Sequence, residues 1–134
     1  MNATAVVVFL IVVVSYLELE LKEQIVVDAA RDLEARARLV QQTLHDTKPA
    51  DLQRAVELAA GHSGTRVTVI AHDGGVLADS EAIPADMESH GERPEVVQAR
   101  LGGVGTSARF SDTRRKDFLF VAVADSRYPR AEVV

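Results

Sequence analysis

The feature that most constrains this sequence is an uncharged apolar segment that leads directly into a charged helical pattern. The segment runs from Ala3 to Leu17, fifteen residues without a charge. As a helix it would be about 22 Å long, shorter than the roughly 30 Å hydrocarbon core of a bilayer. It could be the outer part of a transmembrane helix, the core of a signal peptide or a buried strand. We expect a partial transmembrane helix over residues 1–17, because no basic residue precedes the segment and a strand this long is unusual.

The residues after the apolar segment indicate which side of the membrane the rest of the chain occupies. Three acids and one lysine lie there, namely Glu18, Glu20, Glu23 and Lys22. Cytoplasmic flanks of membrane helices carry an excess of Lys and Arg. We therefore expect a cell-membrane protein with a single span in this portion and an extracytoplasmic globular domain.

Residues 18–45 have the pattern of a long juxtamembrane or stalk helix. Neither Pro nor Gly occurs from Leu19 to Leu44, and the pairs Asp32–Arg36 and Glu34–Arg38 have helical spacing. Apolar residues also recur at alternating steps of four and three: Val26, Ala30, Leu33, Ala37, Val40 and Leu44. This spacing is typical of a helix that packs on another helix. It predicts a homodimer seam or a stripe that packs on the domain's own sheet, and both interpretations can apply at different positions along the one helix.

Residues 46–134 alternate helix and strand patterns, which is typical of an α+β domain. A helix is expected to follow Pro49 and to end at Gly61, and another to run from Pro94 to Leu101. The expected strands are Arg66–Ile70, Val76–Asp79, Thr106–Ser111, Phe118–Ala124 and a last one that begins at Ala131. Tight turns between most of these strands predict an antiparallel sheet of about five strands flanked by helices. We expect the last strand to be truncated at the C-terminal end.

Composition argues against several classes of function. The net charge of −5 is spread evenly, so no basic surface favours nucleic acid. Without cysteine there is no disulfide, thiol nucleophile or Cys-ligated zinc site. The sequence also lacks a nucleophile elbow, a phosphate-binding glycine loop and an H-E-x-x-H pattern. We therefore expect no catalytic, cofactor-binding or metal-binding residue in this segment.

Two groups of polar residues are candidates for binding. His90, Arg93 and Glu95 surround a helix start, where an anion such as a carboxylate or phosphate could be held. We favour a structural corner instead, in which Arg93 pairs with a nearby acid (Glu88, Glu92 or Asp79) while Glu95 complements the positive helix end. The second group is a basic hairpin tip that could contact an anion or lipid head groups. Its members are Arg114, Arg115 and Lys116.

Several segments, in their order, resemble the extracytoplasmic PAS-like (single Cache) sensor domain of phosphate-regulon-type bacterial sensor histidine kinases. They are the helix LEARARLVQQTL, the hairpin DGGVLADS (Asp73–Ser80), the stretch from Met87 to Val96 with His90, Arg93, Pro94 and Glu95, GGVGTSARFS (Gly102–Ser111) and FLFVAVA (Phe118–Ala124). The resemblance implies a five-stranded antiparallel sheet, a second transmembrane helix, and cytoplasmic HAMP, PAS and kinase domains. The phospho-accepting histidine of such kinases has no counterpart among His45, His62, His72 and His90.

The resemblance thus implies the signal-sensing and dimerisation region of a two-component sensor histidine kinase. The parent protein would use ATP and Mg²⁺ and act on a cognate response regulator, while this segment would hold no cofactor and no enzymatic activity. A transporter complex is a further possible partner. Two alternatives stay open: the sensor domain of a chemoreceptor or cyclase, and a purely structural dimerisation domain that works with an associated transporter.

Overall fold

The computed structural model describes residues 3–111, 116–125 and 131–133, with side chains for residues 6–109 and 118–125. It has an α+β fold in which a long N-terminal helix precedes a small antiparallel sheet, which confirms that part of the prediction. The helices are α1 (Ala3–Leu44), α2 (Leu52–Ser63) and α3 (Pro94–Gly102). The strands are β1 (Thr68–Ala71), β2 (Val76–Asp79), β3 (Val104–Ser111), β4 (Lys116–Ala124) and β5 (Ala131–Val133). Short 3-10 turns lie at Pro49–Asp51 and Pro84–Asp86.

The sheet has the order β2-β1-β5-β4-β3, so the last strand lies in its middle. Every neighbouring pair is antiparallel. In β1, Thr68 lies opposite Asp79 of β2, and Val69 lies opposite Val133 of β5. Val133 is also paired with Val123 of β4. β5 thereby joins two hairpins, β1–β2 and β3–β4, into one sheet.

Side chains along each strand alternate between the two faces of the sheet. Helices cover both faces, so each face contributes to a core of its own. Val67 and Val69 belong to the core that the sheet forms with α1 and α2, whereas Ile70 packs with α3. The α1 and α2 side of the core also contains Val40, Leu44, Val56, Ala59, Ala78 and Val123. The α3 side is smaller and contains Ile70, Val96, Ala99 and Ala122.

Helix α1 is continuous over 42 residues, which corresponds to about 63 Å. Its last turns are part of the domain core, since Val40 and Leu44 are only 5% and 7% exposed. By contrast, Val26 of the same apolar seam is 49% exposed. Val40 and Leu44 therefore pack on the chain's own sheet, in what we call the lower part of α1 (residues 33–44). The upper part of α1, which precedes it and includes Val26, is more exposed.

Within the part of the chain that the structure describes, no helix combines the length and the apolar character needed to cross a membrane.

Several element boundaries differ from the sequence prediction, and three of them are informative. α2 does not end at Gly61 but continues to Ser63, where Gly64 adopts a left-handed conformation (φ 66°) and its N–H donates to the Ala60 carbonyl at 2.9 Å. A left-handed residue of this kind ends a helix, whereas a glycine inside a helix only weakens it. β1 begins at Thr68 instead of Arg66, and β3 begins at Val104 instead of Thr106.

Candidate functional site

A small cavity of about 80 Å³ lies between β1 and β4, beside the end of β5. Its two walls differ in chemistry. The wall formed by α1 is apolar and consists of Leu33, Ala37 and Val40. The other side carries the cationic or ionisable side chains Arg66, His90 and Arg93. The cavity thus brings together two of the predicted binding residues, His90 and Arg93.

Asp79 is fully buried next to this cavity and is held by side chains of the neighbouring strand. Its Oδ2 accepts a hydrogen bond from the Thr68 hydroxyl at 2.6 Å and lies 3.1 Å from Nη2 of Arg66. Its Oδ1 accepts the N–H groups of Glu81 and Ala82, both at 2.8 Å. Burial alone would raise the pKa of Asp79, but these hydrogen bonds outweigh it and lower the pKa below its usual value. Asp79 is therefore an ionised structural anchor for the turn after β2.

Asp79, one of the three acids that we expected as partners of Arg93, is held by other residues. Thr68 lies on β1 directly opposite Asp79, and Arg66 lies two residues before Thr68, so both side chains contact the Asp79 carboxylate. Arg93 precedes Pro94 at the start of α3, and it lines the cavity instead.

Glu95, in the first turn of α3, has a fully buried side chain that points into the sheet. It accepts hydrogen bonds from Arg109 Nη2 and from the Ser107 hydroxyl, both at 2.5 Å. The Arg109 guanidinium also stacks over the Phe120 ring, 4.0 Å from its centroid. Glu95 therefore fastens α3 to β3, a role beyond the expected complement to the helix end.

His90 is 5% exposed, and its Nδ1 is buried without a hydrogen-bond partner among the residues whose side chains are described. Burial lowers its pKa, and repulsion from Arg93 acts in the same direction. The nearby carbonyls of Glu88 and Ser89 oppose this effect, and Arg66 adds a further lowering. The balance favours the neutral imidazole, and His90 is one of the residues that line the cavity.

The cations around the cavity outnumber the buried carboxylates. Arg66 is paired with Asp79, and Arg109 with Glu95. The pKa of Arg93 is lowered by burial and by repulsion from Arg109, which outweigh the attraction of Glu95 and Asp79. Three guanidinium groups therefore lie near two buried carboxylates within the described part of the chain, and the exposed Glu81 carboxylate lies 4.0 Å from Nε of Arg66.

Four residues of this cluster were not predicted from the sequence: Arg66, Thr68, Ser107 and Arg109. Each lies at an alternate position along a strand pattern, next to apolar residues that face the other side. A polar residue that alternates with core residues is ordinarily read as solvent-exposed. Here α3 and the segment before it cover that face, so the alternation marks a polar layer inside the fold.

The remaining predicted residues fall outside this cluster. Arg114 and Arg115, and the side chain of Lys116, lie outside the described residues. In the described ranges, no group of three or more His, Asp or Glu side chains is arranged to hold a metal ion. No protein-family model matches this sequence, and no curated protein matches it.

Proposed function

We propose that this segment is the extracytoplasmic signal-sensing and dimerisation region of a membrane-bound, phosphate-regulon-type sensor histidine kinase with a PAS-like (single Cache) fold. The observation that carries the proposal is the continuity of α1. One helix joins the apolar segment at Ala3–Leu17 to the sheet without a break. Apart from Val13, the large apolar side chains from Val7 to Val27 stay 48–67% exposed on it. Such a surface favours a membrane for its first part and a second helix for the part that follows.

The lower part of α1 is tied to the domain strongly enough to carry a change in the domain along the helix. Gln41 donates a hydrogen bond to the carbonyl of Ala124 on β4 at 3.1 Å. Arg36 donates to the carbonyl of Ser63 at the end of α2 at 2.6 Å. Val40 belongs to the core and also lines the cavity. A rearrangement at the cavity would therefore displace α1.

In this account the signal is a shift between two arrangements of a homodimer whose partners meet along the upper part of α1. The catalytic chemistry belongs to the parent kinase, which would use ATP and Mg²⁺ and pass the phosphoryl group to a cognate response regulator. The segment itself contributes sensing and dimerisation.

The membrane topology is tested by fusing alkaline phosphatase, or in parallel green fluorescent protein, after Val134 in a bacterial host. We expect active phosphatase and a dark fluorescent fusion, because only the phosphatase matures outside the cytoplasm. Matched fusions that lack residues 1–17 should reverse both readouts. Fluorescence from the fusion that retains residues 1–17 would contradict the proposal.

The kinase assignment is tested separately by the coding sequence that follows codon 134. We expect a second apolar span, a HAMP domain and a histidine-kinase core. A methyl-accepting hairpin or a cyclase domain would contradict the kinase output and support the receptor alternatives.

A further inference from the structure

The two edges of the sheet are β2 and β3, since the strand order is β2-β1-β5-β4-β3. The outer side of an edge strand carries backbone N–H and C=O groups with which another chain can pair. At each of these two edges a glutamine side chain from a helix bonds to such a backbone group: Gln53 of α2 at β2, and Gln98 of α3 at β3.

Asp79 directs its backbone groups to the open side of β2. The N–H of the next residue, Ser80, donates to the carbonyl of Val67 at 3.0 Å, so Ser80 faces β1. Successive residues of an antiparallel strand direct their backbone groups to opposite sides. The N–H and C=O of Asp79 therefore point away from β1, toward the position that an added strand would take.

Gln53 bonds to both of these backbone groups. Its Oε1 accepts the N–H of Asp79 at 3.2 Å, and its Nε2 donates to the carbonyl of Asp79 at 2.8 Å. A side-chain amide has the same donor and acceptor that a peptide group of a neighbouring strand would offer. The Nε2 also donates to the carboxylate of Glu57 at 2.8 Å, which holds the amide in this orientation. Gln53 thus takes the place of one residue of an additional strand.

Gln98 does part of the same at the other edge. The N–H of Thr106 donates to Gln98 Oε1 at 3.1 Å. Thr106 faces the open side of β3, because Gly103, three residues before it, accepts the N–H of Ala124 from β4. Gln98 bonds to one backbone group where Gln53 bonds to two, so the closure is more complete at Asp79 than at Thr106.

Acidic side chains add to the closure of β2. Glu57 and Glu81 line a shallow groove along this edge, together with Gln53 and Asp79. Charged side chains on an edge strand oppose pairing with another strand. If the β2 edges of two copies approached each other, the like charges of Glu57 and Glu81 would repel.

We propose that Gln53 and Gln98 close the edges of the sheet against strand addition by a second copy of this chain, with the stronger closure at β2. A glutamine that only fastened α2 to the sheet would affect stability without affecting association. An edge closure affects association as well, and the two roles are therefore separable by experiment. The proposal goes beyond the proposed function and does not depend on it.

The test uses single-cysteine reporters, because the chain contains no cysteine. Leu77→Cys places a thiol on β2 at a position that is 48% exposed. Cross-linking between copies by a short bismaleimide is measured for the full chain in detergent, in high salt that screens the repulsion between the acids. We expect Gln53→Ala to raise the cross-linked fraction several-fold, in proportion to protein concentration. Gln42→Ala, the same substitution at an exposed position of α1, should leave it unchanged.

Hydrogen exchange of the Asp79 amide gives an independent readout. At low protein concentration, Gln53→Ala should make this amide exchange about tenfold faster, because it loses its acceptor. At high concentration the amide should become protected again as a second copy pairs with it. Gln53→Met retains the length of the side chain but lacks the donor and the acceptor, so it should behave like Gln53→Ala.

Val40→Ala separates an open edge from a general loosening of the fold. It removes core packing while Gln53 stays in place, so cross-linking through Leu77→Cys should remain at the level of the unsubstituted chain. Ala108→Cys, at an exposed position of β3, reports on the other edge, where Gln98→Ala should raise cross-linking by a smaller factor. An unchanged cross-linked fraction in Gln53→Ala and Gln53→Met, or an equal rise in Val40→Ala, would overturn the proposal.

Discussion

Gly105 on β3 lies so close to the backbone of Glu95 on α3 that a Cβ atom at position 105 would fall 1.8 Å from the Glu95 carbonyl oxygen. This contact sets the distance between α3 and the sheet. At that distance the Glu95 side chain reaches Ser107 and Arg109, two and four residues further along the same strand. The buried charged pair therefore depends on the absence of a side chain at position 105.

Gly105→Ala should destabilise the domain by roughly 2–3 kcal/mol, because the new methyl group forces α3 away from β3. The measurement is the free energy of unfolding from chemical denaturation. Gly102→Ala is the matched control, since a Cβ there meets no atom within 4 Å. Equal stability of the two variants would show that α3 can move away at little cost.

Glu95→Gln should lower the free energy of unfolding by about 3 kcal/mol, because it leaves the half-buried Arg109 guanidinium without its anion. The control is Glu92→Gln, which changes an exposed acid three residues earlier and should alter stability by less than about 0.5 kcal/mol. If the two substitutions lower the free energy of unfolding by the same amount, Glu95 does not anchor α3.

His90 should make the stability of the domain fall as the pH falls below about 6.5. Its pKa is lower in the folded chain than in the unfolded chain, so the unfolded chain takes up the proton first. This contribution is complete above the unfolded pKa and is lost as the pH falls toward the folded pKa.

The check on this prediction is the free energy of unfolding between about pH 7.5 and 5. His90→Gln should flatten the curve in this window relative to the wild-type chain. Parallel curves for the wild-type chain and His90→Gln would contradict the predicted protonation.

Val40→Ala should cost about 2 kcal/mol of stability, because Val40 is 5% exposed within the core between α1 and the sheet. Val26→Ala, the same substitution at a 49% exposed position of the same seam, should change stability by less than about 0.5 kcal/mol in the monomer. Thermal or chemical unfolding at low protein concentration measures both. A comparable cost at both positions would mean that the upper part of α1 is also packed on the domain.

The helices and strands could be predicted because their signals are local. The unbroken pattern from Leu19 to Leu44, the Pro94 start of α3 and the β-branched run at Val67–Ile70 each reflect constraints within one element. The end of α2 was misplaced because Gly61 and Gly64 look alike in sequence, and only the left-handed conformation of Gly64 separates them.

The polar layer could be predicted only in part. His90 and Arg93 stood out because they surround a helix start. The partners of Asp79 and Glu95 are set by pairing between strands and by the approach of α3, with Thr68 eleven and Arg109 fourteen residues away. A sequence window of one element does not contain that information. Asp79 was therefore counted among the possible partners of Arg93, although the strand register places it opposite Thr68, and Arg66 forms its ion pair.

Dimerisation through the exposed upper part of α1 is the central claim, and the absence of cysteine makes it directly measurable. Single cysteines are introduced one at a time from Lys22 to Leu33 in the full chain, and disulfide formation is measured in membranes under mild oxidation. We expect maxima at Val26 and Ala30, with little cross-linking at Gln24, Asp28 and Arg31. A flat profile, or maxima off this seam, would contradict it.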